Sequence, residues 1–478
     1  MTRPGTEVIL RESAPPRSAP TDTSVFFAAG VTERGGATPT LVSSLAQYER
    51  EFGERSGAAT LMYDSMETFW REGGGEAYIM RVIGDAAGAA TLDLGELVVD
   101  ASSPGTWGNT LKVGTDARTT PTEGYRLRIT DAADNVLELS PWFTTQAEAV
   151  AWSPNSDLVT VKLGTGSDPP DSTVAPAALA GGTAGAALVD ADWDEALALF
   201  DRALGPGQVA MPGRTTEEAH EALLVHAESH NRCALLDGPD VASAPELIAA
   251  AEGLRGDPSR HERFGGIFAP VAIVPGVVPG TLREVPYSAV QAALIARSDS
   301  SGMSPNVAAA GANGQCRYVV DVKRQWSDVD RESLNDAGVN IARVVYGGVR
   351  SYGYRSLADP YEDFNWVSLA NVRLYMAIVA EGESVAETYV FSQIDGKRIT
   401  ISRYGGDLTG MLIPYYEAGS LYGDRAEESF AVDVGEQINT VETIANGELR
   451  AVISLRMSPF AELVVLEIVK TSVQEVLA

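Results

Sequence analysis

Between Asp190 and Ala296 short apolar runs alternate with segments of 10–15 residues that carry helical spacing, and this alternation limits the architecture more than any other feature. Gln208–Met211, Cys233–Leu236 and Ile267–Val274 read as buried strands. The spacing predicts helices at Trp193–Leu204, Thr216–Asn231, Ala244–Leu254 and Tyr287–Ala296. Strands that alternate with helices in this way build a mostly parallel, layered sheet. The same pattern begins earlier. Val25–Val31 and Ala77–Val82 are apolar runs, and helices are expected from Ser43 to Gly53 and from about Ala59 to Glu72. Gly73-Gly74-Gly75 closes the second helix.

Residues 85–182 break the alternation. Thr, Asp, Gly and Pro rise, helical periodicity disappears, and Tyr125–Ile129 and Leu158–Leu163 alternate as half-buried strands do. A β-rich domain inserted into the α/β core, at residues 21–84 and 183–357, is the expected arrangement. A separate α+β unit follows at 358–459, with a helix around Asn365–Ala380 and strands at Arg398–Ile401 and Leu449–Leu455.

Both ends carry a strand without an obvious partner. Glu7, Val8, Ile9 and Leu10 lie in an arm of residues 1–20 that is broken by Pro4, Pro15, Pro16 and Pro20. Leu463, Val464, Val465, Leu466, Glu467, Ile468 and Val469 form an apolar run in a second arm, residues 460–478. A lone strand leaves both backbone edges unpaired, so each must add to a sheet.

The 478 residues hold 36 Lys and Arg against 65 Asp and Glu, a net charge of −29. Such a chain repels phosphate, which argues against nucleic acid or an anionic membrane as partner. The start has no apolar stretch of the secretory type, and two cysteines are too few for a disulfide framework.

The search for chemistry yields no catalytic, metal-binding or cofactor-binding residue. His226 and His230 stand four apart around Glu228, but the metalloprotease spacing needs Glu where Ala227 sits. Asp190, Asp192 and Asp194 lack the Gly and Glu of a calcium loop, since Glu195 and Asp201 occupy those places, and suit a helix start instead. Gly181-Gly182-Thr183-Ala184-Gly185 and Gly73-Gly74-Gly75 match no phosphate loop and read as turns.

Six segments together carry a resemblance. They are Pro4–Val8, Leu41–Gly53, Phe69–Val82, Ser103–Leu111, Leu179–Gly182, and Leu334–Asn340 with Gly348–Leu357. In this order they resemble the contractile tail sheath proteins of bacteriophages and related injection machines. Arg355-Ser356-Leu357 departs mildly from the family's usual Arg-Thr-Leu. The resemblance implies an α/β and α+β multi-domain fold with an inserted β-rich domain and exchanged terminal strands. It also implies a structural role as stacked hexameric rings in the sheath of a virion tail, assembled in the host cytoplasm. The implied partners are further copies of the chain, a tail tube protein, and baseplate and tail terminator proteins. A tube contact is expected in the C-terminal domain, near Asp407, Leu408, Tyr415, Tyr416 and Tyr422. The competing readings are an α/β enzyme that binds a nucleotide or small ligand, and a non-contractile scaffold or adhesin.

Overall fold

The computed structural model describes residues 21–120, 123–166, 174–241, 243–256, 261–300 and 305–462. The apolar runs assemble into one eight-stranded sheet. Its order is Gly348–Ser351, Val339–Val345, Gly265–Ala269, Arg232–Asp237, Gly207–Ala210, Phe26–Gly30, Ala77–Arg81 and Thr40–Val42. The six inner strands run parallel, and the two edge strands are antiparallel. Phe26–Gly30, Arg232–Asp237 and Gly265–Ala269 are buried along their whole length, as expected of strands covered by helices on both faces.

Helices Leu45–Phe52, Thr60–Glu72, Glu217–Ser229, Ala244–Gly253 and Tyr287–Ser300 lie where the spacing places them, within a few residues, whereas the helix expected at Trp193–Leu204 spans Asp190–Ala198 and Arg202–Leu204 is a separate 3-10 turn. Local chemistry sets their ends. Ser44 and Thr216 accept from the amides of Gln47 and Ala219. Gly73, at φ 100°, ends Thr60–Glu72 in the left-handed conformation.

Three expectations need correction. Ile267–Val274 is two strands, Gly265–Ala269 and Ala272–Pro275, which belong to different sheets. Pro270 stands at the break and brings no N–H for a ladder. Arg398–Ile401 is not a strand. Arg398 is the cap of the helix Ile399–Glu417, and the Asp395 carboxylate accepts from the amides of Lys397, Ile399 and Thr400. Free amides satisfied by an upstream Asp nucleate a helix even where β-branched residues follow. The described residues of 85–182 also hold one α-helix, Gln146–Trp152, capped by Thr145 and by Glu148 reaching back to Thr144.

The described residues between 90 and 179 build a three-stranded and a four-stranded antiparallel sheet around their own apolar cluster, with Val99, Val113, Tyr125, Leu127 and Phe143 inside. A third cluster, of Leu374, Ile378, Leu412, Leu421 and Phe430, joins helices Leu369–Glu387 and Ile399–Glu417 to a two-stranded sheet.

Candidate assembly surface

That two-stranded sheet pairs Phe430–Asp433 with Val452–Leu455, from Phe430 opposite Leu455 to Asp433 opposite Val452. Phe430, Val432, Ile453 and Leu455 belong to the third apolar cluster, while Ala431, Asp433, Val452 and Ser454 are exposed. A two-stranded ribbon is marginal alone, and here packing on the helices supports it. Among the described residues neither strand has a second partner, so both outer edges present unpaired ladder positions.

The segments that lead to this unit are tied by arginines. Arg373, fully buried on helix Leu369–Glu387, pairs with Asp299 and donates to the Pro305 carbonyl at 3.1 Å and to Thr23 Oγ1 at 3.3 Å. Thr23, near the first described residue, also donates to Asp299 Oδ2 at 3.2 Å. At the other end Arg355 Nε holds both carboxylate oxygens of Glu462, at 3.0 and 3.1 Å, and Nη1 reaches Asp336 at 3.2 Å. The Arg355 hydrogen bond keeps the Glu462 carboxyl below the usual range. Near both limits of the described residues, at Thr23 and Glu462, the chain is thus held to the body by a guanidinium. Sequence reasoning noted Arg355 only as part of the Gly348–Leu357 segment and missed Arg373. The available signal was a charge at Arg373 inside the apolar run Leu369–Leu374.

Five of the six segments noted above lie in described residues, and several meet in space. Asn109 Oδ1 accepts from Gly182 N at 2.9 Å and its Nδ2 donates to Gly182 O at 2.8 Å. A Cβ on Gly182 would stand 2.4 Å from the Gly105 carbonyl, so this approach requires glycine. Asn340 makes the same two-way clasp on the backbone of Arg355, at 2.6 and 2.7 Å. The buried Glu72 carboxylate accepts from the amides of Arg317, Tyr318 and Val319 at 2.7–2.8 Å.

No family model matches the sequence, and no curated protein matches it. Solved structures do. A sheath tail protein from Listeria innocua superposes with TM-score 0.63 over 87% of this chain and 89% of its own, at 13% identity. One from Desulfitobacterium hafniense gives 0.60 over 90% and 93%, at 12% identity. The helical sheath of the anti-feeding prophage in its contracted state gives 0.57 over 98% and 100%, at 16% identity.

This chain has the contractile-sheath fold.

On the sheath fold the residues expected to act fall as follows. Glu7–Leu10 and Leu463–Val469 lie outside the described residues. Asp407, Leu408, Tyr415 and Tyr416 share helix Ile399–Glu417, but they do not form one exposed surface. Leu408 is buried, and Tyr415 is half-buried with its hydroxyl donating to Glu381 at 2.8 Å. Asp407, which accepts from the Tyr389 hydroxyl, and Tyr422 are exposed. His226 and His230 stack at 4.0 Å between centroids, and His226 Nε2 is 2.8 Å from Arg232 Nη1. Burial, then the charges of His230 and Arg232, push His226 down to about 2, so it is neutral at physiological pH. Asp192 accepts from Val189 N at 2.8 Å and so caps the helix Asp190–Ala198. Both cysteine thiols are buried and raised to about 12 by desolvation, which leaves them unreactive. No helix among the described residues is long and apolar enough to cross a membrane.

Proposed function

We propose that this chain is the subunit of a contractile sheath, stacked as six-membered rings around a tail tube and contracting to drive that tube through a target cell envelope. One observation carries the reading. A sheath-fold chain displays a two-stranded terminal sheet with both edges open among the described residues, and its sequence holds strand-forming runs beyond each described end. In this reading Glu7–Leu10 and Leu463–Val469 leave their own subunit and add to the Phe430–Asp433 and Val452–Leu455 sheet of other copies. Backbone hydrogen bonds then hold the lattice while the connecting segments let the bodies move. A head-to-tail contact of this kind does not close on itself and propagates as a helix.

The division of labour follows. The arms are 1–20 and 460–478, the core is 21–84 with 183–357, the inserted domain 85–182 faces outward, and 358–459 receives the strands. The exposed residues Asp407 and Tyr422, with Tyr416, belong to the tube-facing side. Baseplate and terminator proteins bound the two ends of the assembly in the host cytoplasm. Contraction is a change of packing between two helical states and consumes no fuel in this chain.

Deleting residues 1–20, or residues 463–478, is the test. Each truncated chain should keep its far-ultraviolet circular dichroism and fail to polymerise in sedimentation. Polymers that survive both deletions would overturn arm exchange.

A further inference from the structure

The edge hairpin of the central sheet carries an unresolved conflict of charge and backbone. Strands Val339–Val345 and Gly348–Ser351 are joined by Tyr346-Gly347, both at positive φ, 51° and 81°. A two-residue turn of this hand is ordinarily Asn-Gly or Gly-Gly, because a Cβ is disfavoured there. Here the first position is a tyrosine whose side chain is 98% exposed, so no packing within the subunit offsets the disfavoured conformation.

Just behind the tip, Arg343 stands directly opposite Arg350. Residues opposed in an antiparallel pair share a face, and like charges there repel. No carboxylate among the described residues pairs with either arginine. Arg343 lies over the Tyr352 ring at 4.4 Å, and Arg350 Nε is buried without an acceptor. In a chain with 29 excess negative charges, two opposed and unpaired arginines beside two exposed tyrosines are a built cationic platform.

We propose that this hairpin docks on the acidic face of helix Glu217–Ser229 in a second copy of the chain. Glu217, Glu218 and Glu221 fall on one side of that helix by their spacing, are exposed, and have no basic partner among the described residues. The two surfaces are complementary in sign and belong to different parts of the subunit, the sheet's edge and the helix over Arg232–Asp237. The contact is therefore heterologous and can repeat along an assembly. It also relieves, at one place, the repulsion between bodies of net charge −29. The inference rests on the self-assembly of this chain but not on strand exchange.

The test is sedimentation velocity of the full chain at about 50 mM and about 500 mM salt. At low salt, Arg343→Glu with Arg350→Glu, or Glu218→Lys with Glu221→Lys, should weaken self-association by about tenfold or more. Combining both reversals should restore it to within about threefold of the natural chain. Circular dichroism melts check that each variant folds. Single reversals without effect, or a combination that fails to restore, would overturn the proposal. If the truncations alone abolish association and the charge variants do not, strand exchange stands and this contact falls. A chain that stays monomeric throughout sinks both. Short duplex DNA that binds the natural chain and not Arg343→Glu with Arg350→Glu, with self-association unchanged, would make the hairpin a nucleic-acid surface and overturn the second copy as its partner.

Discussion

Replacing Arg373 by Met is expected to destabilise the C-terminal unit by about 3–5 kcal/mol. The methionine fills much of the stem's volume, so the loss is electrostatic. Asp299 is left with its carboxylate largely out of water and, among the described residues, with only Thr23 as side-chain donor. The Pro305 carbonyl loses the Arg373 donor as well, while the Thr23 carbonyl keeps the Gln208 side-chain amide. An unpaired buried charge costs far more than the pair contributes, which gives the expectation a second part. Arg373→Met combined with Asp299→Asn should recover a substantial share of the loss. The three apolar clusters make a single unfolding step a poor description, so hydrogen exchange along Leu369–Glu387 is the readout. A loss below about 1 kcal/mol would show that this guanidinium does not hold the unit to the body.

Glu72→Gln is expected to cost about 2–4 kcal/mol. Glu72 ends helix Thr60–Glu72 with no solvent exposure and receives three backbone amides from Arg317–Val319. A carboxylate has two acceptor oxygens for that task. An amide of the same shape has one, and its NH2 must face an N–H, leaving donors opposed and at least one buried amide unsatisfied. The urea midpoint of the central unit checks the effect. Unchanged stability would mean that the 317–319 segment finds other acceptors.

The same residue illustrates what the sequence made legible. The end of its helix was readable, because Gly73 supplies a left-handed stop within one turn. Its partners were not, since they lie some 245 residues along the chain and nothing near Glu72 points to them. The parallel strands were readable for a similar local reason. Full burial on both faces demands unbroken apolar runs such as Phe26–Gly30. Arg398–Ile401 failed because Ile-Thr-Ile carries strand propensity, while the deciding group, Asp395, stands upstream of it. Half of the terminal sheet was readable, since Val452–Leu455 lies within the expected strand Leu449–Leu455, but its partner Phe430–Asp433 was hidden because it is short and defined by packing on two helices. Among the segments that carry the resemblance, Asn109 clasps Gly182 and Asn340 clasps the backbone of Arg355. They hold the fold. They do not touch the terminal sheet.

Electron microscopy of the purified full-length chain at high concentration tests the central claim most directly. The account predicts long hollow tubes with a regular helical repeat. Discrete globular particles at every salt and pH, with and without assembled tail tube supplied as a template, would contradict it.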